Sequence, residues 1–151
     1  MLQMERGILV HGCNAQGVMG SGIAAQIRFR YPSVFEDYHG VYEKEGLKVG
    51  DVVFTEIDPA MGFYVANAIT QEYYGGDGKK YVSYRGVYEA FKKIFVEARD
   101  RGIDVHYPQV GAGLAGGDWA TIQSCIDAAF NETMKGADWS RLPERTLWIF
   151  E

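Results

Sequence analysis

Residues 11 to 27, HGCNAQGVMGSGIAAQI, hold the side chains of this chain that are best suited to chemistry on a bound molecule. His11, Cys13 and Asn14 end a short apolar segment, and three glycines follow before a helical pattern begins. An imidazole can accept a proton or attack phosphorus, and an asparagine amide can bind a ribose hydroxyl. Both side chains also have ordinary structural uses, because a histidine often satisfies local backbone groups and an asparagine often caps a turn. The stretch therefore predicts either a reactive site beside a glycine loop or a polar turn.

A second glycine loop, GAGLAGGD, occupies residues 111 to 118 and stands between a strand-like segment and a helix-like one. Glycines let backbone N–H groups approach a ligand closely, and N–H groups at a helix start attract anions. Ligands of open α/β sheets bind beyond the carboxyl ends of the strands. Asp118 is the one carboxylate of this loop, and it could cap the helix that starts at Trp119 or take part in function. We expect the two loops to hold one anionic ligand from both sides.

Two common nucleotide-binding motifs do not account for these glycines. A P-loop needs a lysine followed by Ser or Thr after its glycines, and neither loop has that pair. The segment GSGIAA, residues 20 to 25, matches the dinucleotide fingerprint G-x-G-x-x-A, but a second strand with an acidic end should follow about 20 residues on. A helix-like segment, YPSVFEDYHGVYEKEG, occupies that place. A nucleoside triphosphatase and a nicotinamide-dependent dehydrogenase are both disfavoured.

The remaining candidate ligand and nucleophile residues form no further motif. Cys13 and Cys125 make neither a disulfide framework nor a zinc pattern, so reduced thiols are expected. The tyrosines of EYYGG, residues 72 to 76, and the pair Lys79 and Lys80 belong to a polar loop that is either solvated or a lid over a ligand. The sequence predicts no metal site and no cofactor.

Strand-like and helix-like patterns alternate along the chain, which is typical of an α/β domain. A helix should stop at Tyr31, because the residue before a proline is pushed out of the α region. Ser33 could cap the next helix, with Glu36 completing a capping box. The predicted strands are Gly7–His11, Val52–Thr55, Phe63–Ile69, Asp104–Val110 and residues 145–150, and the predicted helices are Ser21–Arg30, Ser33 to about Glu45, Ser83–Arg101 and Trp119–Met134.

Length and composition are those of one ordinary globular domain spanning residues 1–151, with 47% hydrophobic and 23% charged residues. No apolar run approaches the ~20 residues that a membrane-spanning helix needs, so a soluble, cytoplasmic protein is expected. The formal net charge of −5 argues against electrostatic binding to duplex DNA. It does not argue against a small anionic ligand, because backbone N–H groups can hold a phosphate.

Three blocks resemble a macrodomain, the ADP-ribose-binding fold: ILVHGCNAQGVMGSGIA, RYPSVFEDY and PQVGAGLAGGDW. The resemblance covers nearly the whole chain and is strongest to the branch of yeast-type ADP-ribose-1″-phosphate phosphatases, near phage and antitoxin-type macrodomains. It implies a single three-layer α/β/α domain with a mixed central sheet and a ligand cleft along the sheet's crest.

The same resemblance implies roles for individual residues. Asn14 would contact the distal ribose, the loop from Gly17 to Gly22 would wrap that ribose and the pyrophosphate, and the loop from Val110 to Gly117 would cradle the phosphates. Phe150 would lie near the adenine. The expected ligand-binding residues are Cys13, Asn14, Gly17, Val18, Met19, Gly20, Ser21, Gly22, Ile23, Val110, Gly111, Ala112, Gly113, Leu114, Ala115 and Phe150.

The chain departs from the pattern of the macrodomains that remove ADP-ribose from DNA or protein. Those enzymes carry a lysine where this chain has Gln71, and an aspartate where it has Ala115. Lys79 or Lys80 could replace the lysine only from the neighbouring loop. Members of the family usually begin with a strand whose aspartate binds the adenine amino group, and MLQMERG does not contain that aspartate. Either the adenine is held in another way or the N-terminal strand is shortened.

These observations favour a phosphatase that converts ADP-ribose 1″-phosphate to ADP-ribose and phosphate. His11 would be the general base or a transient nucleophile, and Asp118 would orient it or protonate the leaving oxygen. Two alternatives stay open: a hydrolase that removes ADP-ribose from modified DNA or protein, and a reader that binds ADP-ribose without turnover. The expected partner is a small molecule, with nucleic acid involved only if it carries ADP-ribose.

Overall fold

The computed structural model of the chain describes residues 6–20, 22–75, 77, 79–113, 115–137 and 142–148. Five strands and four helices lie within these ranges. In chain order they are β1 (Gly7–Asn14), α1 (Gly22–Arg30), α2 (Pro32–Glu45), β2 (Val52–Asp58), β3 (Phe63–Gln71), α3 (Tyr84–Arg101), β4 (Val105–Tyr107), α4 (Trp119–Met134) and β5 (Arg145–Leu147).

The strands form one mixed sheet in the order β2-β3-β1-β4-β5. β1 runs parallel to both β3 and β4, and β4 runs parallel to β5. β2 is antiparallel to β3, as the short connection between them requires. The carboxyl ends of β1, β3, β4 and β5 therefore meet at one edge of the sheet, where the two glycine loops begin.

Helices cover both faces of the sheet, which gives the three-layer α/β/α arrangement that the resemblance implies. Along β1, Ile8 and Val10 point into the core beneath α3 and α4, whereas Leu9 and Cys13 point into the core beneath α1 and α2. Side chains alternate between the faces of a strand, so His11 lies on the α1/α2 side. The predicted fold class is confirmed.

Strand β1 is longer than predicted. It continues through Asn14 instead of ending at His11, because β3 pairs with it along its whole length. His11 consequently lies inside the sheet, directly opposite Asn67, and not at a strand end beside the loop. β4, in contrast, is shorter than predicted and ends at Tyr107. Pro108 follows and has no N–H to extend the ladder.

Helix boundaries agree with the predictions to within one residue, but the predicted cap of α2 does not form. The Ser83 hydroxyl accepts a hydrogen bond from the Gly86 N–H at the start of α3, and Gly102 ends that helix. α2 begins at Pro32, after Tyr31, and no side chain caps it. The predicted capping box starting at Ser33 is therefore wrong, because a proline fits the first helical position and sets the start one residue earlier. No helix in the described ranges is long and apolar enough to cross a membrane.

Candidate ligand-binding cleft

A cleft of about 850 Å³ opens at the edge where the parallel strands end. The carboxyl half of β1 forms its floor, the first turn of α1 forms one wall, and the loop after β4 forms the opposite wall. The described residues that line it are His11, Gly12, Cys13, Asn14, Val18, Gly20, Gly22, Ile23, Ala24, Gln71, Tyr74, Gly75, Pro108, Gln109, Val110, Gly111, Ala112, Gly113, Ala115 and Trp148.

Most of the residues that the sequence predicts for the ligand line this cleft. The exceptions with a described position are Gly17, Met19 and Asp118. Met19 is buried in the core beneath α1 and α2, and Gly17 packs against the ring of Tyr42. Three further predicted residues, Ser21, Leu114 and Phe150, lie outside the described residues.

Sequence reasoning missed several lining residues. Pro108 and Gln109 directly precede the second glycine loop. Tyr74 and Gly75 follow β3 and belong to the EYYGG loop, for which a lid over a ligand was one of the two predicted roles. Trp148 follows β5, two residues before the aromatic that was predicted. Their common signal is position, because each of these segments immediately follows the carboxyl end of a parallel strand. Gly12 and Ala24 complete the set.

His11 lies at the floor of the cleft and is only 1% exposed. Its Nε2 atom is 2.6 Å from Oδ1 of Asn67, whose Nδ2 donates to the carbonyl of Val53 at 3.0 Å. That second bond orients the Asn67 amide, so Nε2 of His11 is the protonated nitrogen and donates. Burial lowers the pKa of His11 to about 4, with the Asn67 bond opposing the shift. At neutral pH the imidazole is therefore uncharged, with its lone pair on Nδ1.

Cys13 is the other buried group of the floor that could react. Its Sγ lies 3.6 Å from Nε2 and 3.8 Å from Nδ1 of His11. Burial raises the pKa of the thiol well above its usual range. Because the thiolate is the nucleophilic form, Cys13 acts as a neutral, packed side chain at the base of the cleft.

Asn14 organises the first glycine loop. Its Nδ2 donates to the carbonyl of Val18 at 2.8 Å, and its Oδ1 accepts from the backbone N–H of Gln16 at 2.9 Å. Tyr38 of α2 donates to the same side chain at 2.9 Å. The structural use of Asn14 as a turn cap is thus realised, while the residue also lines the cleft.

Three consecutive residues of the second glycine loop, Gly111, Ala112 and Gly113, line the cleft. Within the described residues, no hydrogen bond uses the N–H of Gly111 or Gly113. The carbonyl of Ala115 accepts from Tyr81 and Val82, which fixes the loop against the segment before α3. The first turn of α1, which contains no acidic residue, faces the loop across the cleft. Free amides on one side and a helix N-terminus on the other form a surface that suits an anion.

Asp118 caps α4. Its Oδ2 accepts from the N–H of Thr121 at 3.0 Å and from the Thr121 hydroxyl at 2.7 Å. These bonds lower the pKa of the carboxyl group. Because the carboxylate is bound to the first turn of α4 and does not line the cleft, the structure does not bring Asp118 together with His11.

The glutamine and the two lysines that bear on glycohydrolase chemistry each contact another residue. Gln71, which stands where a lysine was expected for glycohydrolase chemistry, lines the cleft and donates through Nε2 to the carbonyl of Tyr73 at 2.7 Å. Lys79 pairs with Asp77 at 3.8 Å, and Lys80 lies 4.7 Å above the ring of Tyr84. Neither lysine lines the cleft.

Trp148 forms an aromatic wall beyond the second loop and is 36% exposed. Its indole N–H donates to Nδ1 of His106 at 3.1 Å, and its backbone N–H donates to the carbonyl of Tyr107. The ring is therefore held in place by β4 while part of it remains accessible.

Within the described ranges, no group of three His, Cys, Asp or Glu side chains could hold a metal ion.

Comparison with known proteins identifies relatives along most of the chain. An ADP-ribose 1″-phosphate phosphatase of Saccharomyces cerevisiae is 31% identical over 145 residues, covering 80% of this chain and 82% of that protein. A DNA ADP-ribosyl glycohydrolase of Mycobacterium tuberculosis is 26% identical over 134 residues, covering 87% of this chain. This chain spans only 37% of the length of that glycohydrolase.

Solved structures share the fold at lower sequence identity. The macrodomain of Mycobacterium tuberculosis DarG has a TM-score of 0.79 at 20% identity, covering 99% of this chain and 93% of the other. A protein of unknown function from Bacteroides thetaiotaomicron has a TM-score of 0.81 at 24% identity, covering 98% of this chain and 91% of the other. The family model described as "Macro domain" matches residues 10–126. The chain therefore belongs to the Macro domain family.

Proposed function

We propose that the cleft binds ADP-ribose and that the chain hydrolyses ADP-ribose 1″-phosphate to ADP-ribose and phosphate. The observation that carries the proposal is the pairing of two glycine loops and a helix N-terminus around one cleft of about 850 Å³. That volume lies within the range of about 300–1,000 Å³ that is usual for small-molecule sites. Its backbone N–H groups supply what a phosphate needs without a cationic side chain.

The relatives favour the phosphatase over the glycohydrolase. The phosphatase of Saccharomyces cerevisiae and that of Scheffersomyces stipitis match this chain over 82% and 86% of their own lengths. The DNA ADP-ribosyl glycohydrolases match over 37% of theirs. At the position where a glycohydrolase lysine was expected, Gln71 cannot form a Schiff base or act as an acid–base group.

In the proposed reaction, the 1″-phosphate lies among the N–H groups of the second loop and the first turn of α1. Those dipoles stabilise the charge on the phosphoryl oxygens as the bond between phosphorus and the 1″ oxygen breaks. Water supplies the new P–O bond and the proton that leaves with ADP-ribose. We propose that the neutral imidazole of His11 acts through Nδ1, as the base toward this water or as a transient nucleophile.

We propose that the adenine binds at the side of the cleft that Trp148 lines. An indole offers a flat apolar face, and aromatic stacking on a base contributes about 1–3 kcal/mol. In the proposal, this aromatic wall supplies a contact to the adenine. Phe150, two residues on, remains a second aromatic candidate.

The test is phosphate release from ADP-ribose 1″-phosphate, with ADP-ribose binding measured by calorimetry on the same preparations. We expect turnover by the wild type, and loss of turnover with retained ADP-ribose binding in His11→Gln, which avoids the cavity of His11→Ala. A protein-bound phosphate that survives an alkaline quench, is lost in acid and is absent from His11→Gln would identify His11 as the nucleophile, since phosphohistidine is stable in alkali and labile in acid. Turnover by His11→Gln at the wild-type rate would overturn the role of His11.

The rival activity is tested with an ADP-ribosylated oligonucleotide. The DNA ADP-ribosyl glycohydrolase relatives are the observation in its favour. Release of ADP-ribose from the oligonucleotide, without phosphate release from the phosphorylated sugar, would replace the phosphatase proposal by the glycohydrolase. Binding of ADP-ribose with neither activity would leave a reader.

A further inference from the structure

We propose that Tyr38 of α2 is a positioning residue that sets the conformation of the first glycine loop by holding the Asn14 side chain. No residue of α2 lines the cleft, and Tyr38 itself is completely buried. It acts through Asn14, which lines the cleft. The relevance to ligand affinity rests on the proposed function, whereas the effect on the loop does not.

The Tyr38 hydroxyl is aimed at two oxygens of Asn14. It lies 2.7 Å from the backbone carbonyl oxygen and 2.9 Å from Oδ1. A single hydroxyl proton serves both acceptors, so the bond fixes the side chain of Asn14 relative to its own backbone. Burial raises the pKa of Tyr38 well above its usual range, which keeps the phenol a neutral donor.

Asn14 passes this restraint to the loop. The same Oδ1 atom accepts from the N–H of Gln16 at 2.9 Å and of Val18 at 3.4 Å, and Nδ2 donates to the carbonyl of Val18. Rotation of the Asn14 amide would break all of these bonds together. The backbone between Asn14 and Val18 therefore depends on the orientation of one amide, and the phenol of Tyr38 sets that orientation.

Two neighbours on α2 support the same loop by other means. The ring of Tyr42 packs against Gly17, and Nδ1 of His39 lies 3.2 Å from the carbonyl oxygen of Gly17. Among the described residues, the Tyr42 hydroxyl has no hydrogen bond, so its contribution is the ring. Tyr38 and Tyr42 thus form a matched pair in which only one hydroxyl bears on the loop.

The experiment compares Tyr38→Phe with Tyr42→Phe in the full chain. We expect Tyr38→Phe to weaken ADP-ribose binding about tenfold, the usual scale for one buried hydrogen bond, and to raise KM for ADP-ribose 1″-phosphate with kcat little changed. In the NMR spectrum of ligand-free Tyr38→Phe, the backbone amide resonances of Gln16 and Val18 should shift from their wild-type positions. Tyr42→Phe should leave the affinity and both resonances near their wild-type values.

The amide resonances separate this inference from the proposed function. If the wild type does not bind ADP-ribose, the proposed function fails, and the shifts of Gln16 and Val18 still decide whether Tyr38 sets the loop. A merely structural role would lower the melting temperature of Tyr38→Phe while leaving the resonances and the affinity of the folded protein unchanged. That outcome would overturn the inference, as would equal effects of the two tyrosine substitutions.

Discussion

Nε2 of His11 lies 2.6 Å from Oδ1 of Asn67, and the two residues are direct partners on the neighbouring parallel strands β1 and β3. Asn67 in turn donates to Val53, its partner on β2. The imidazole at the floor of the cleft is thus tied through one amide to the edge strand of the sheet. This chain of bonds places the proton on Nε2 and leaves Nδ1 with the lone pair.

The buried His11 makes the stability of the protein depend on pH in a defined window. The pKa of His11 in the folded protein is about 4, below the ordinary value of 6.5. Between pH 4 and pH 6.5, His11 therefore binds a proton in the unfolded chain but not in the folded one. The stabilisation is complete above pH 6.5 and is lost as the pH falls toward 4. Each unit of pKa shift corresponds to about 1.4 kcal/mol, so the shift from 6.5 to about 4 lowers the free energy of unfolding by about 3 kcal/mol at low pH.

Urea unfolding at pH values from 4 to 7 measures this dependence. Other groups also contribute to the pH dependence of unfolding, so the useful quantity is the difference between the wild type and His11→Gln. We expect the slope between pH 6.5 and 4 to be smaller in the variant, because glutamine does not titrate. Parallel curves for the two proteins would contradict the assigned pKa of His11.

Asn67→Asp should raise the pKa of His11. A carboxylate in place of the amide stabilises the imidazolium, and we expect the pKa to move above the ordinary value of 6.5. The bond to the Val53 carbonyl is lost, at a cost of about 1–3 kcal/mol in stability. Proton–nitrogen correlation spectra across a pH titration report both the pKa and the protonated nitrogen. His39 and His106 serve as internal controls, and a His11 pKa still near 4 would refute the argument.

The alternation of strands and helices and the two glycine loops were predictable because their signals are local, whereas the three layers were implied by the macrodomain resemblance. Alternating strand and helix patterns and the Asp118 cap all arise within a few residues of one another. The length of β1 was not predictable from GILVH alone, because the extra residues are held by pairing with β3. The contact between His11 and Asn67 spans 56 positions and depends on strand register, which single-residue patterns do not encode.

The cleft itself was predicted in part for the same reason. Residues of the glycine loops could be named from their own spacing, but Trp148 and Tyr74 reach the cleft only because β5 and β3 end there. The resemblance suggested the aromatic two positions later, at Phe150. Asn14 was assigned both to the ligand and to a turn, and its hydrogen bonds show that the turn is formed.

Gly17→Ala should destabilise the first loop, whereas Gly40→Ala should stabilise α2. Gly17 has φ +77, and an added Cβ would lie 2.7 Å from the Tyr42 ring. The backbone cost alone is about 1–2 kcal/mol, and the steric conflict adds to it. Gly40 lies inside α2 with open space at its Cβ, so alanine there should gain about 0.5–1 kcal/mol. Thermal unfolding measures both effects. Equal changes in the melting temperature of the two variants would contradict the contacts described for Gly17 and Gly40.

Substitutions of Asp118 separate capping from chemistry. Asparagine caps a helix about as well as aspartate, so Asp118→Asn should keep stability, while Asp118→Ala should lose about 1 kcal/mol. Because the carboxylate is bound to Thr121 and lies outside the cleft lining, we expect phosphate release by Asp118→Asn to stay within about twofold of wild type. A large loss of kcat without a loss of stability would restore the acid role predicted from the sequence.

Trp148→Ala should weaken ADP-ribose binding by about tenfold or more, since a stacked base loses its aromatic wall. Trp148→Phe keeps a flat ring but loses the bond to His106, so an intermediate affinity is expected. Tyr73→Ala is the matched control, because Tyr73 is an exposed aromatic that does not line the cleft. Calorimetry with ADP-ribose and with ribose 5-phosphate, which lacks the adenine, locates the effect. A loss that is equal for both ligands would move the adenine away from Trp148 and toward another wall of the cleft.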